Sequence, residues 1–288
     1  MSGKTDGPAF PALPVWWNGQ LVPSSAALVS TNSQGWLWGR GLFETIAVRN
    51  AIPLALSRHL SRFLTNAPRL GLLPPPEPTL RQSIDQVLQN CPPELHRLRI
   101  TLTGGNTPGL SLSPDHGHLL IQALPSTPAI RPASLVTVPW RRNEFSALTG
   151  IKSTSYAENA IALTWAQERQ ASEAIFLNST GDLCEGAVSN LFLVSKGQIL
   201  TPSLNSGCLP GITRSLVLDL CQQLNLPHLE KALTPAHLAT ADALFLTNSL
   251  NGIIPVQLCD SRKFDALCPL TARLSEALQD LLGRLPDP

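Results

Sequence analysis

The chain has 288 residues, 43% of them hydrophobic, and its 21 basic and 20 acidic side chains leave a net charge of +1. This apolar content is enough for a sizeable core in one large domain or two smaller ones. The balanced charge gives no electrostatic reason to expect a nucleic acid or an anionic membrane surface as partner.

No stretch of the sequence has the apolar length of a signal peptide or the roughly 18–20 residues of a membrane span. The six cysteines, at positions 91, 184, 208, 221, 259 and 268, form no Cys-x-x-Cys pair. We interpret them as reduced, buried thiols and expect a cytoplasmic protein. His116 and His118 have a metal-like spacing, but no second group of ligand residues lies nearby in sequence, so we expect no metal site.

The first half of the chain predicts mostly strands. A turn signal, Trp17-Asn-Gly-Gln20, interrupts the first of them. Strands are expected at 15–22, 42–49, 98–103 and 119–124, and helices at 57–70 and 79–89. The proline-rich segment 125–132 excludes both a helix and a central strand. We therefore predict a smaller N-terminal α+β domain at 1–125 and a larger C-terminal domain at 126–288.

The second half mixes strands and helices. Strands are expected at 134–138, 173–178, 190–194, 243–247 and 253–258, and helices at 157–169, 210–224 and 272–282. The two types alternate without a regular βαβ rhythm. This order favours an α+β fold over a doubly wound parallel sheet.

Lys152 is the first candidate for chemistry. It lies in Gly150-Ile-Lys-Ser-Thr-Ser-Tyr156, among small and apolar neighbours. A lysine that is partly desolvated loses proton affinity and becomes a usable nucleophile. Taken alone, the pattern favours an ordinary surface lysine.

Three further features have a functional and an ordinary interpretation. Glu185 precedes an apolar strand. Its carboxylate could face a basic group in a site, or Glu185 could be an ordinary turn residue. The segment 209–214, Leu-Pro-Gly-Ile-Thr-Arg, suits an anion site at a helix N-terminus, or a plain capped helix start. Arg62 lies on an amphipathic helix and suits a phosphate ligand, or a solvated helix face.

Together these features resemble the class IV aminotransferases, which are the fold-type IV enzymes of pyridoxal 5'-phosphate. The long signature of that family is matched by Glu185, Asn190, Leu191, Phe192, Ile199, Thr201, Leu209, Gly211, Ile212 and Arg214. The segment 39–45, Gly-Arg-Gly-Leu-Phe-Glu-Thr, is similar to the family's Gly-Asp-Gly-x-Phe-Glu-Thr. The segment 59–63, His-Leu-Ser-Arg-Phe, is similar to its His-Leu-x-Arg-Leu.

The resemblance implies a two-domain fold with the cofactor at the domain junction, and a homodimer. It also implies a role for each matching residue. Lys152 would hold pyridoxal 5'-phosphate as a Schiff base and later move protons. Glu185 would face the pyridine nitrogen and keep it protonated. The remaining cofactor contacts would come from Arg62, Ile212 and Thr213 at the phosphate, and from Tyr156 near the ring hydroxyl.

Residues 245–256 resemble one group within the family, the 4-amino-4-deoxychorismate lyases, which often have Thr-Asn-Ser-Leu-x-Gly-x-x-Pro-Val there. Asn248 and Ser249 would then lie near the phosphate and the substrate. We expect a lyase of folate biosynthesis that eliminates pyruvate and leaves 4-aminobenzoate. Two alternatives stay open: an aminotransferase acting on branched-chain or D-amino acids, and a cofactor-binding protein without catalysis.

Two positions depart from the family pattern. Arg40 replaces the usual aspartate of Gly-Asp-Gly, and Gly104 stands where many relatives have an arginine that contributes to carboxylate binding. Another residue must then bind the carboxylate of the small-molecule substrate. Because the guanidinium fork suits a carboxylate, Arg40 and Arg99 are our candidates.

Overall fold

Two β-sheets form the framework of the protein, and all strands of the first precede residue 125 whereas all strands of the second follow residue 132. The computed structural model describes residues 13–94, 96–106, 109–110, 114–126 and 131–288. Part of the predicted linker, residues 127–130, lies outside the described residues. The domain boundary at 125 therefore stays a prediction.

The first sheet has six strands in the order β2-β1-β6-β5-β3-β4. Its strands are β1 (Pro14–Trp17), β2 (Gln20–Pro23), β3 (Gly41–Arg49), β4 (Ile52–Pro53), β5 (Arg97–Thr103) and β6 (His118–Leu124). The helices of this half are α1 (Gln34–Trp38), α2 (Leu56–Asn66) and α3 (Glu77–Gln89). Burial alternates along β5, because successive side chains of a strand point to opposite faces. Leu98 and Ile100 join the core beneath α2 and α3, whereas Arg97 and Arg99 lie on the other face.

The second sheet is mixed and has nine strands, in the order β12-β11-β10-β13-β14-β7-β8-β9, with β15 paired to β14. They are β7 (Ala133–Arg142), β8 (Glu173–Asn178), β9 (Leu183–Gly186), β10 (Asn190–Ser195), β11 (Gln198–Pro202), β12 (His228–Lys231), β13 (Ala243–Asn248), β14 (Gly252–Cys259) and β15 (Arg262–Lys263). The helices are α4 (Ala157–Glu168), α5 (Ile212–Gln223), α6 (Pro235–Thr240) and α7 (Pro269–Arg284). The central strands have long buried runs because α5 and α7 cover one face and a second apolar cluster covers the other.

Two elements have different bounds from those predicted, and in both a proline lies where the structure departs from the prediction. The predicted helix 57–70 ends at Asn66, and Ala67–Leu70 forms a tighter 3-10 turn with Pro68 in its first turn. The strand predicted at 134–138 continues to Arg142 through Pro139, where its pairing with β8 shifts register. The longer β7 carries Arg141 and Arg142 toward the cavity described below.

The α+β fold class is confirmed by this arrangement of two sheets with helices packed on them. Within the described part of the chain, no helix is long and apolar enough to cross a membrane.

Candidate active site

Lys152 lies where the two sheets meet. The N–H of Phe43 donates to the carbonyl of Lys152 at 2.9 Å, and the N–H of Thr154 donates to the carbonyl of Gly41 at 2.8 Å. These bonds hold the segment against β3, so that Lys152 Nζ lies 4.6 Å from the centre of the Phe43 ring. Burial, and then the charge of Arg62, lower the pKa of Lys152 to about 8, although Glu44 and Glu185 oppose the shift. Near that pH a large fraction of the amine is neutral and therefore nucleophilic.

A cavity of about 610 Å³ opens beside Lys152, a size that suits a cofactor together with a small substrate. Both sheets contribute to its wall. Nine of the ten residues that the sequence predicted for the site line it: Arg62, Arg99, Lys152, Tyr156, Glu185, Ile212, Thr213, Asn248 and Ser249.

Arg40 is the predicted site residue that the structure does not bring to the cavity. The residue is 7% exposed, and its guanidinium donates to the carbonyls of Leu70 at 2.9 Å and Gly71 at 2.8 Å. It also contacts Gln34 and lies 3.9 Å from a carboxylate oxygen of Asp115. These partners belong to α1, to the 3-10 turn that ends at Leu70 and to the segment around Asp115. Arg40 therefore links elements around the first sheet, and it does not line the cavity.

Glu185 lies at the end of β9. One carboxylate oxygen accepts the N–H of Leu209 at 2.8 Å, and the other lies 3.9 Å from Nε of Arg142. Burial raises the pKa of Glu185, while Arg142, the Leu209 amide and Lys152 oppose that rise. The carboxylate is thus held in the cavity wall by groups that favour its charged form.

The start of α5 forms one corner of the cavity and offers the N–H donors that an anion site requires. The first N–H groups of a helix have no intrahelical partner, and here they belong to Ile212 and the residues after it. Gly211 precedes them in close contact with Asn190, and a Cβ at position 211 would collide with Oδ1 of Asn190. Arg62 donates to the carbonyl of Pro210 at 2.8 Å, which links α2 to the same corner.

A buried ionic cluster fixes Arg62. Its Nε and Nη2 donate to the two oxygens of Glu44 at 2.8 and 2.6 Å, and Nδ1 of His59 lies 2.7 Å from the same carboxylate. Burial alone would raise the pKa of Glu44, but Arg62 and His59 outweigh it and hold that pKa near 2. Burial lowers the pKa of His59.

Several residues of this site had no role predicted from the sequence. They are Glu44, Thr45, His59, Arg97, Arg141, Arg142, Glu173, Asn190 and Thr247. For Glu44 a signal was present, since a charged residue within an apolar strand needs a buried partner. His59 and Asn190 match family motifs, but the motifs do not name their partners. For the other residues, only the tertiary structure identifies the neighbours.

Comparisons with known proteins identify the family of this chain. The family model described as amino-transferase class IV matches residues 41–259. The D-alanine aminotransferase of Bacillus licheniformis is 29% identical over 278 residues, which cover 92% of this chain and 96% of that protein. The structure of the branched-chain aminotransferase of Thermoproteus uzoniensis with norvaline superimposes with a TM-score of 0.89 at 29% identity, covering 95% of this chain and 96% of that one.

A third similar protein, from Legionella pneumophila, is provisionally named a 4-amino-4-deoxychorismate lyase. Its structure has a TM-score of 0.80 at 30% identity, covering 88% of this chain and 95% of that one. The chain belongs to the class IV aminotransferase family, whose enzymes use pyridoxal 5'-phosphate. This finding confirms the family, the fold type and the cofactor predicted from the sequence.

The residues of the cavity fit that cofactor. Thr247 Oγ1 is buried in the wall and has no hydrogen-bond partner among the described residues. Together with the helix N-terminus, Thr213 and Ser249, it provides the donors that a phosphate requires. The half-buried amine of Lys152 suits an aldehyde, and the carboxylate of Glu185 suits a protonated pyridine nitrogen. When bound, the cofactor supplies an electron sink for bonds broken at the substrate carbon.

Proposed function

We propose that this protein is an aminotransferase that uses pyridoxal 5'-phosphate. The observation that carries the proposal is Lys152, an amine with a pKa of about 8 held by backbone hydrogen bonds in a cavity that both sheets line. Amino-group transfer uses such an amine twice, first as a nucleophile that holds the cofactor and then as a base and acid at the substrate carbon. Full-length similarity to aminotransferases for branched-chain amino acids and D-alanine supports transfer over elimination.

Each side chain of the site would have one task. Lys152 Nζ would accept the proton from the α-carbon of the substrate as a base and would later give a proton up as an acid. Glu185 holds a proton on the pyridine nitrogen by its negative charge. Arg62, Thr213 and Ser249 bind the phosphate together with the N-terminus of α5 and orient the ring. The half-buried position of Lys152 reduces competition from water at the reacting atoms.

Two arginines on β5 supply the positive charge for a substrate carboxylate. The guanidinium of Arg99 stacks 3.9 Å from the ring centre of Phe43 and donates to Thr101 at 3.2 Å. Burial, and then the neighbouring Arg97, lower the pKa of Arg99. Nε of Arg97 is buried without a hydrogen-bond partner in the described residues. We propose that Arg99 binds the substrate carboxylate next to the substrate amine. Of the two candidates from the sequence, Arg40 and Arg99, this keeps Arg99 alone.

A second candidate function is the lyase predicted from residues 245–256. The observation in its favour is the turn after β13, where Asn248 Oδ1 accepts the N–H of Asn251 at 2.9 Å and Ser249 lines the cavity. Two guanidinium groups on one wall also suit a substrate with two carboxylates, such as 4-amino-4-deoxychorismate. The similarity to the Legionella pneumophila protein supports this reading. The expected homodimer and the cytoplasmic location stay predictions.

The deciding experiment compares two reactions of the purified, cofactor-loaded protein. One arm mixes it with single amino acids (L-leucine, L-valine, D-alanine, and both enantiomers of glutamate) and follows the cofactor spectrum and the 2-oxo acid formed. The other arm adds 4-amino-4-deoxychorismate and measures pyruvate and 4-aminobenzoate. We expect conversion by at least one amino acid and its loss in Lys152→Ala, while Lys263→Ala, an exposed control, keeps it.

Equal amounts of pyruvate and 4-aminobenzoate, with no amino acid converted, would replace the proposal with the lyase. A loaded protein that performs neither reaction would contradict both and favour a cofactor-binding protein without catalysis.

A further inference from the structure

Glu173 is a buried carboxylate to which the reaction outlined above assigns no task. It is the first residue of β8 and is 5% exposed. One oxygen accepts the N–H groups of Ala174 at 3.0 Å and Ala187 at 3.1 Å. The other accepts the N–H of Val188 at 3.3 Å and the hydroxyl of Ser189 at 3.0 Å. A buried carboxylate is tolerated only when hydrogen-bond donors satisfy it. Here four hydrogen bonds do so, and no lysine or arginine among the described residues forms an ion pair with Glu173.

Three of these four donors belong to one loop of the cavity. The loop, residues 186–189, joins Glu185 at the end of β9 to Asn190 at the start of β10, and all four of its residues line the cavity. Its shape depends on Glu173 lying beside Gly186. A Cβ at position 186 would lie 3.3 Å from Cδ of Glu173 and would collide with Oγ of Ser189. The loop is therefore folded around the carboxylate.

Ala187 connects Glu173 to an aromatic residue of the site. Its N–H donates to Glu173, and its carbonyl accepts the hydroxyl of Tyr156 at 3.2 Å and the side-chain amide of Asn159 at 2.6 Å. The ring of Tyr156 packs edge-on against Phe43, with 5.2 Å between ring centres, and lies 5.4 Å from Lys152 Nζ. A single peptide unit thus separates the Glu173 carboxylate from a hydroxyl in the cavity wall.

The charges around Tyr156 keep its hydroxyl protonated. Burial raises the pKa of Tyr156, and the negative charges of Glu185 and Glu173 raise it further, while Arg142 and Arg99 oppose them. Burial also raises the pKa of Glu173 to about 7, although its four donors favour the charged form. Tyr156 is thus a hydrogen-bond donor over the neutral pH range, and Ala187 is its acceptor.

We infer that Glu173 is a positioning residue of the active site, which holds the 186–189 loop and, through Ala187, the hydroxyl of Tyr156, without touching the substrate. The same loop lies between Glu185 and Asn190, so its displacement would also move the carboxylate and the contact to Gly211. The structural part of the inference concerns the cofactor-free chain. Only its consequence for turnover rests on the proposed function.

The test uses the fact that the chain has a single tyrosine. Protein labelled with ¹³C at the tyrosine Cζ carbon gives one resonance, which reports the hydrogen bond and protonation of Tyr156. We would record it from pH 6 to 9 without cofactor in the wild type, Glu173→Gln, Ser189→Ala and the exposed control Glu168→Gln. We expect the Glu173→Gln resonance to move toward that of free tyrosine, Ser189→Ala to move it less, and Glu168→Gln to leave it unchanged.

The pH profile separates positioning from a general loss of stability. Glu185, Arg142 and Arg99 also act on Tyr156, and Lys152 Nζ lies 5.4 Å from its ring. The two arginines stay charged from pH 6 to 9, so any further inflection comes from Glu185 or Lys152. The inflection near pH 7 should disappear in Glu173→Gln alone. In the loaded enzyme we expect Glu173→Gln to lower kcat roughly ten- to a hundredfold with a smaller change in KM, the size of effect typical of a misplaced site.

A folded Glu173→Gln with the wild-type resonance, pH profile and cofactor affinity would overturn the inference. If Glu173→Gln does not fold, Ser189→Ala decides, because it removes only one bond to the carboxylate; an unmoved resonance there would also overturn it. A moved resonance in a protein that transfers no amino group would sustain the inference and reject the proposed function.

Discussion

Glu44 lies on β3 with its carboxylate 1% exposed, between the guanidinium of Arg62 and the ring of His59. A carboxylate in such a place is stable only while both partners are present, because the cost of removing a charge from water is large. The same contacts fix Arg62 beside the proposed phosphate corner at the start of α5, since two hydrogen bonds to one carboxylate determine the orientation of a planar guanidinium.

Replacing Glu44 with glutamine should destabilise the protein by about 3–5 kcal/mol at pH 7, since a buried arginine then lacks its counter-ion. Glu44 has a pKa of about 2 in the fold against 4.5 as a free side chain. Its contribution is therefore complete above about pH 4.5 and is lost as the pH falls toward 2. Urea unfolding at stepped pH should show the difference between the wild type and Glu44→Gln shrinking in that window.

The matched control for this prediction is Glu77→Gln on α3. Glu77 also pairs with an arginine, Arg81, but its side chain is 42% exposed. Exposed pairs one helical turn apart stabilise by about 0.5 kcal/mol or less. Equal losses for the two variants would show that the burial of Glu44 is not what makes its ion pair important.

At the scale of elements, the start of α5 depends on the absence of a side chain at Gly211. Its φ of −67° is accessible to any residue, so the need for glycine is steric and comes from Asn190. Asn190 in turn donates to the carbonyl of Leu209 at 2.8 Å. Strand β10 and helix α5 therefore form the proposed phosphate corner jointly.

Gly211→Ala should lower the affinity for pyridoxal 5'-phosphate roughly tenfold or more, because the added methyl group displaces Asn190 and with it the helix N-terminus. Equilibrium titration of the cofactor-free protein, followed by cofactor absorbance, measures this. Gly283→Ala is the control, since a Cβ there meets nothing within 4 Å on the exposed end of α7. Unchanged cofactor affinity in Gly211→Ala would reject the phosphate corner proposed here.

At the scale of the whole molecule, residues 286–288 join the second half of the chain to the first. Helix α2 has no capping side chain of its own, and Ala55 before it has a φ of +52°. The missing acceptors come from the distant segment. Pro286 accepts the N–H of Ala55 at 2.6 Å, and Asp287 accepts the N–H and the hydroxyl of Ser57 at 2.8 and 2.6 Å.

Asp287→Ala should therefore cost about 1 kcal/mol of stability, as expected for the loss of a helix N-cap. Because α2 carries Arg62, cofactor affinity should fall as well. Asp280→Ala, on the exposed face of α7 with Arg284 as its partner, should change both quantities less. Thermal unfolding without cofactor measures the loss of stability, and the shift on adding cofactor measures the loss of affinity. If Asp287→Ala equals the wild type in stability and in affinity, the contact between Asp287 and Ser57 contributes nothing.

Secondary structure was predictable from the sequence wherever an apolar run or a helical spacing of apolar residues spans the whole element. Strands β8 and β13 and helix α3 agree with their predictions because apolar runs or helical spacing span them. Strands β9, β11 and β12 and helix α6 were not predicted. These elements have four to six residues, too few for a period, and the strands among them form because neighbours in the second sheet supply their hydrogen bonds.

The residues that pyridoxal chemistry would use were singled out by the family resemblance, because each had an ordinary interpretation on its own. A Schiff base needs a lysine, a carboxylate suits a protonated pyridine nitrogen, and a close approach to a helix start favours glycine. The structure brings Lys152, Glu185 and Gly211 to one cavity, and their roles there stay predictions. Arg40 and Glu173 show the limit of such reasoning. Whether an arginine or a carboxylate faces a ligand or the backbone depends on burial and on partners far away in sequence, and only the folded chain brings those together.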